Sequence, residues 1–192
     1  MSLPTTQIHT WTRFSGTPAA QSSFIITTDP ALLLQHRSAL NAALASPYLH
    51  WAVALPDGEL ETMITNSVCF GLYHSPHKPT SPNAALSSAD CDLIGLARLV
   101  TDKVTFAYLT DVYVDRAFGG QGLGTWLVEC VRDWVDQMPS LRQFMLITGQ
   151  GKKEEYYARV LGTRRIEDLA GPEGARAFVR RGPKGTLGGG AV

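Results

Sequence analysis

Four glycines within six residues separate two regular patterns near the middle of the chain: Gly119, Gly120, Gly122 and Gly124. Before them, residues 109–114 are β-branched and aromatic with alternating faces, which predicts a strand. After them, apolar residues recur at helical spacing from Leu123 to Met138, and Pro139 ends the pattern. The chain is therefore predicted to form a strand, a glycine-rich turn and a long helix in direct succession.

Glycines this close together let the backbone bend and approach a ligand without a Cβ penalty. Free amides at the start of the next helix, added to its dipole, favour a phosphate or pyrophosphate. Two common phosphate motifs do not fit. Thr125 stands where a Walker A loop needs lysine, and the glycine spacing is one residue short of a dinucleotide fingerprint. A plain strand-to-helix turn is the alternative, although such a turn needs one or two glycines rather than four.

A third phosphate motif does fit the segment Gly119-Gly120-Gln121-Gly122-Leu123-Gly124. It resembles the acetyl-CoA loop of the GNAT superfamily of N-acetyltransferases, which has Arg or Gln first, Gly fourth, and Gly or Ala sixth. The last two glycines match this pattern, whereas Gly119 replaces the usual Arg or Gln. Residues 94–102 and 106–114 also resemble the strands before this loop in a small-molecule branch of the family. The resemblance extends from about Asn66 to Gly162.

The resemblance implies an α+β, or mixed α/β, fold with a mixed sheet of six to seven strands flanked by helices. In this family the sheet splays open in the middle. Here the parting strands would be Leu109–Val114 and Gln143–Thr148. Backbone groups that lose their ladder partners at the split could pair with the pantetheine arm of CoA.

The rest of the chain predicts one domain over residues 23–181. Residues 1–22 are rich in Thr, Ser and Pro and predict a flexible arm, and the glycine-rich residues 182–192 predict a flexible tail. Asp29 and Pro30 predict a helix start, with the helix ending before Pro47. The other predicted elements are a turn at 56–58, strands at 24–27, 62–73, 93–100, 104–114, 143–148 and 176–180, a loop over 74–91, and a helix over 152–161 closed by Gly162.

The charge balance and the cysteine content indicate which partners the protein can bind and in which compartment it is expected. Lys plus Arg and Asp plus Glu number 17 each, so no global field attracts nucleic acid or an anionic membrane. Cys69, Cys91 and Cys130 are odd in number and widely spaced, which is typical of reduced thiols in a cytoplasmic or nuclear protein. His74 and His77 are only two potential ligands, so no metal is predicted.

The resemblance assigns the cofactor-binding residues. Backbone groups of Val112, Tyr113 and Val114 would hold the pantetheine and polarise the thioester carbonyl. The pyrophosphate would be held by the amides of Gly119, Gly120, Gln121, Gly122, Leu123, Gly124 and Thr125, with the Thr125 hydroxyl as an added donor. Because Gly119 offers no side chain, binding of the phosphates is expected to be weaker and mainly from the backbone.

Two side chains are candidates for proton transfer. Asp111 lies on the cofactor strand and would serve as the base for the amine or as the anchor of a cationic substrate. Pairing with Arg98 or Arg116 is the alternative for this carboxylate. Tyr157 is expected to protonate the departing thiolate, although the family places its tyrosine at the position of Ala158. Packing of the tyrosine on the loop helix is the alternative role.

The predicted function is acetyl-CoA-dependent N-acetylation of a primary amine on a small molecule. A catalytically weakened CoA-binding module is the alternative, since Gly119 and the displaced tyrosine depart from the family pattern. Tyr108 and Tyr113 are alternatives to Tyr157 as the proton donor, although they are expected rather to shape the acceptor pocket. Tyr48, His50 and Trp51 would line its mouth or simply pack there. The sequence leaves open the identity of the amine and whether the protein forms a homodimer.

Overall fold

The computed structural model describes residues 7–17, 20–49, 51–76, 86–149 and 151–169. A single six-stranded sheet runs in the order β1-β2-β3-β4-β5-β6, with every pair antiparallel except the last. The strands are β1 Thr10–Thr17, β2 Ala20–Thr27, β3 Val68–Ser75, β4 Asp92–Thr101, β5 Phe106–Val114 and β6 Gln143–Leu146. The helices are α1 Pro30–Gln35, α2 Arg37–Leu44, α3 Asp57–Thr65, α4 Leu123–Val135, α5 Lys152–Leu161 and α6 Ile166–Leu169. This mixed sheet flanked by helices confirms the predicted fold class.

The helices cover both faces of the sheet and divide the core in two. On one face, α4 buries Trp126, Leu127, Val131 and Trp134 against apolar side chains of the central strands. On the other, the three short helices α1–α3 bury leucines against Cys69 and Leu96. In the described part of the chain, no helix is both long and apolar enough to cross a membrane.

The predicted N-terminal arm is wrong over residues 10–17 and 20–22, because these residues form two paired strands. Trp11 packs on the core with its ring 5.9 Å from that of Phe70. Arg13 lies 4.5 Å over the Trp126 ring of α4. Threonine is a good strand residue once a neighbouring strand is present. The Thr- and Ser-rich composition of this segment does not show that β1 and β2 pair with each other.

The turn at 56–58 and the strand start at residue 62 are also wrong, because α3 occupies Asp57–Thr65. Leu60 and Ile64 lie four residues apart and are both fully buried, which is helical spacing. Asp57 and Glu59 lie in the first turn, where they suit the helix dipole. The strand β3 starts at Val68 and extends to Ser75, so the predicted loop over 74–91 begins two residues later than expected.

Other element predictions are confirmed with small shifts. Asp29 accepts a hydrogen bond from the Ala31 amide and caps α1, but His36 separates α1 from α2 where one helix was predicted. The strands β4 and β5 pair antiparallel as expected. Gly162 ends α5 with a φ of 66°. The predicted strand at 176–180 and the tail at 182–192 lie outside the described residues.

Candidate functional site

The split in the sheet lies at the end of the parallel pair β5–β6. Pairing between the two strands runs from Phe106 opposite Gln143 to Leu109 opposite Leu146. The strand β6 then ends, two residues earlier than predicted, while β5 continues to Val114. In the described chain, residues 110–114 of β5 thus have no strand partner on this side. The predicted splay is present, and it exposes the strand edge that was predicted to hold a pantetheine arm.

A bulge in β5 sits at the start of this free edge. Asp111 and Val112 together lie opposite Ala97 of β4, since the register shifts between Leu96 and Arg98. Asp111 has a φ of 50°, which is unusual for a residue other than glycine. Across the ladder, Gly95 allows β4 to approach, because a Cβ there would lie 2.8 Å from the Tyr113 carbonyl oxygen.

The glycine loop connects β5 to α4 and needs two of its four glycines for backbone conformation. Gly120 and Gly122 have φ angles of 78° and 71°. Gly119 has an ordinary φ of −62°, and Gly124 is helical. A Cβ on Gly124 would make only ordinary contact, 3.8 Å from Val114 Cγ2. The backbone conformation therefore requires glycine only at Gly120 and Gly122, although a Cβ on Gly119 would lie 3.1 Å from the Arg116 carbonyl oxygen.

The loop is held in place by an aromatic cluster that the sequence did not predict. Phe118, in the 3₁₀ turn Arg116–Phe118, packs at 5.2 Å from the His74 ring and at 6.1 Å from Phe24. The Asp115 carboxylate accepts from the Ala117 amide and caps this turn. His74 therefore anchors the loop to the ends of β2 and β3. His77 lies outside the described residues.

Six consecutive amides follow this turn, from Gly120 to Thr125. Among the described residues none of them donates a hydrogen bond to a protein acceptor, whereas the next amide, of Trp126, donates to Gly122. Free amides at a helix start combine with the helix dipole into an anion site. The loop thus has the donors that a diphosphate needs.

Tyr156 and Tyr157 both lie on α5 beside this helix start, with rings 5.0 Å apart. The Tyr156 hydroxyl donates to the Gly124 carbonyl at 3.3 Å and also contacts the Thr125 side chain. The role of a tyrosine packed on the loop helix therefore belongs to Tyr156. Tyr157 packs against the same buried cluster as Val112 and Val114. Burial raises the pKa of both phenols above the usual value, which keeps them protonated.

Asp111 pairs with Arg98, which is one of the two arginines that the sequence offered as a partner. The guanidinium Nε and Nη2 atoms both lie 2.7 Å from Asp111 Oδ2, and the two side chains are 16% and 10% exposed. Asp111 Oδ1 has a single long contact, at 3.4 Å from the Thr110 hydroxyl. Arg116 is not its partner, because its guanidinium lies 3.6 Å over the Tyr48 ring.

The other residues that were predicted to line the acceptor pocket lie in different parts of the structure. Tyr48 is 60% exposed beside the loop, whereas Trp51 packs on the core formed with α1–α3. Tyr113 packs on that same core, and burial raises the pKa of its phenol. Tyr108 lies in the closed part of the β5–β6 pair, opposite Met145. His50 is outside the described residues.

A cavity of about 320 Å³ lies elsewhere, at the far ends of α4 and α5. It is lined by Val135, Leu141, Phe144 and Leu161, and none of the predicted site residues reaches it. The described residues also hold no group of three or more His, Cys, Asp or Glu side chains arranged for a metal ion.

Solved structures share this fold. An acetyltransferase of the GNAT family from Xanthomonas campestris, described as putative, superposes with a TM-score of 0.58 at 24% identity, over 81% of this chain and 93% of that one. Glucosamine-6-phosphate N-acetyltransferase from Arabidopsis thaliana superposes with a TM-score of 0.50 at 16% identity, over 81% and 99%. At such identities the likeness shows the fold alone.

Sequence comparison goes further. The chain is 34% identical over 181 residues to "Putative acetyltransferase FG08082" of Gibberella zeae, which covers 93% of this chain and 96% of that protein. The sequence pattern of the acetyltransferase (GNAT) family matches residues 44–162, more than half of the chain. That range contains the bulged strand, the glycine loop and the tyrosine helix, so the chain belongs to the acetyltransferase (GNAT) family.

Proposed function

We propose that this acetyltransferase moves an acetyl group from acetyl-CoA directly to the primary amine of a small molecule. One observation carries the proposal: six unpaired amides at the start of α4 lie next to the unpaired edge of β5. The family uses acetyl-CoA, and this arrangement supplies donors for both the diphosphate and the pantetheine of that molecule.

The diphosphate is bound through the main chain. Gly119 provides no side-chain donor, and the Thr125 hydroxyl is already in contact with Tyr156. The amides from Gly120 to Thr125 therefore carry the binding, aided by the positive end of the α4 dipole. Two positive-φ glycines aim these amides outward.

The pantetheine lies along residues 112–114 as an additional short strand. Its amides exchange hydrogen bonds with the backbone edge that β6 leaves open. A main-chain amide of the same edge stabilises the oxyanion that forms when the amine attacks the thioester. Val112 and Val114 are held by the α4-side core, which keeps this edge in place.

Two side chains take part in proton transfer. Asp111 Oδ1, the oxygen that Arg98 does not hold, accepts the amine proton directly or through water, or anchors the amine as a cation. Tyr157 donates to the departing thiolate. Its phenol is protonated at neutral pH, and burial raises its pKa further, so that it remains a proton donor into the alkaline range.

The acceptor side fits a small molecule. The segment before α3 is fixed to α2, because the Asn41 side chain bonds both the amide and the carbonyl of Leu55, at 2.8 and 2.7 Å. Near the other end of that segment, Tyr48 stacks under Arg116 beside the loop. These two contacts favour a restricted acceptor site over an open groove for a peptide.

Two measurements test the proposal. Calorimetry with CoA should show one site per chain. Thiol release from acetyl-CoA should depend on an added amine from a panel of small primary amines and amino acids. CoA binding without turnover on any amine would favour the weakened binding module. Lack of binding at millimolar CoA would refute both functions.

A further inference from the structure

The bulge at Asp111 decides which backbone groups face the split. Leu109 and Val112 contact the same core cluster although they lie three residues apart, because the bulge inserts one residue between them. In a regular strand, Asp111 would take the place of Val112 on that face. The direction of each following amide and carbonyl would then be reversed, from Val112 to Val114.

This conformation is unfavourable for Asp111 itself. A side chain with a φ of 50° crowds the backbone, and such residues persist where their surroundings hold them. Within the described residues, the Asp111 carboxylate bonds Arg98 and the Thr110 hydroxyl and accepts no hydrogen bond from its own backbone. The holding contact must therefore come from β4.

Arg98 supplies that contact and is itself fixed from the other side. Two of its nitrogens bind Asp111 Oδ2 at 2.7 Å, and Nη1 donates to the Ser67 hydroxyl at 3.2 Å. Ser67 directly precedes β3, so the guanidinium links β3 and β5 across β4. Both charged side chains are largely buried, so water cannot easily hydrate either charge if the pair is broken.

We propose that Arg98 is a positioning residue for the cofactor: it holds Asp111 in the left-handed conformation and so orients the backbone edge at 112–114 towards the pantetheine. This inference rests on the proposed function. Arg98 touches neither the cofactor nor the amine and acts only through Asp111. Loss of the pair lets the strand become regular and turns the amides of the edge away from the split.

The test is calorimetry of CoA binding to five proteins: the unaltered chain, R98M, D111G, R98M/D111G and R98M/D111A. R98M should weaken CoA binding by roughly threefold to tenfold, because no contact from β4 then keeps residue 111 in its strained left-handed conformation. Both double variants remove the whole ion pair and leave no buried charge. They differ only in that glycine adopts the positive φ freely and alanine does not. R98M/D111G should therefore bind CoA about tenfold more tightly than R98M/D111A.

Arg165→Met is the matched control, because Arg165 is also paired with a carboxylate, Glu154, but is exposed and bonds α5 rather than β5. Its CoA affinity should equal that of the unaltered chain. Thermal unfolding of each variant identifies losses that reflect folding alone. Binding by R98M within twofold of the unaltered chain, or equal binding by the two double variants, would overturn the inference. Absence of CoA binding by the unaltered chain would instead refute the proposed function, and this inference with it.

Discussion

Replacement of Gly122 by alanine isolates the contribution of the loop conformation. Gly122 has a φ of 71°, and no atom lies within 4 Å of the position of an added Cβ. The substitution therefore causes backbone strain without a clash. An L-residue in this region costs about 1 to 2 kcal/mol relative to glycine. Gly124, two residues later, is helical and has room for a Cβ, so Gly124→Ala serves as the matched control.

The backbone strain that Gly122→Ala introduces must lower either the free energy of unfolding or the affinity for CoA. If the free loop keeps its conformation, the free energy of unfolding falls by about 1 to 2 kcal/mol. If the loop relaxes, binding of CoA must restore it, and the dissociation constant rises roughly 5- to 30-fold. The sum of the two losses is therefore the quantity to compare. Gly124→Ala should raise the free energy of unfolding by up to about 1 kcal/mol, because alanine is the better helix former.

Urea unfolding followed by the fluorescence of the buried Trp126 and Trp134 gives the first free energy, and calorimetry with CoA gives the second. A combined loss below about 0.5 kcal/mol for Gly122→Ala would refute the strain argument. A larger combined loss for Gly124→Ala than for Gly122→Ala would refute it as well. Such a result would mean that the absence of a side chain, rather than the positive φ, is what the loop requires.

Further predictions concern the tyrosines and Gly119 of the same site, and the three buried cysteines. Tyr157→Phe should lower kcat at least about tenfold by removing the proton donor, whereas Tyr156→Phe should act mainly on the KM for acetyl-CoA, because that hydroxyl bonds the start of α4. Since burial raises the pKa of Tyr157, kcat should not fall through loss of this donor until the pH exceeds 10. Gly119→Arg should tighten CoA binding by up to about fivefold at low salt and less at high salt, because it adds the missing cation at an exposed position with an ordinary φ. Its Cβ would lie 3.1 Å from the Arg116 carbonyl oxygen, so the turn has to shift by a few tenths of an ångström and part of the gain is lost. The three cysteines should not react with a thiol reagent at pH 8 until the protein unfolds, because burial raises the pKa of these thiols to about 11 or 12.

Each of these has an outcome that would contradict it. Equal kcat losses for the two tyrosine variants would remove the distinction between donor and packing residue. A gain in affinity for Gly119→Arg that is independent of salt would rule out a Coulombic contact with phosphate. Fast labelling of a native thiol would mean that the buried cysteines become accessible, and it would also add background to thiol-release assays.

The strand, loop and helix around the four glycines could be predicted because local chemistry determines them. Alternation on β5, helical spacing on α4 and glycine content each depend on residues close in sequence. The Asp29 cap and the Gly162 stop are local in the same way. The errors arose where local patterns were ambiguous: a Thr-rich edge strand resembled a loop, and the short helix α3 resembled the start of a strand.

Tertiary structure alone decided the environment of the site. Whether Asp111 paired with Arg98 or Arg116 depended on the register of β4 against β5 and on a one-residue bulge, which alternation does not encode. Which tyrosine bonds the loop helix depended on the rotation of α5 against α4. The early end of β6 fixed the point at which the split begins. The sequence thus determined the glycine loop through local backbone freedom, whereas contacts between distant strands and helices determined which side chains surround it.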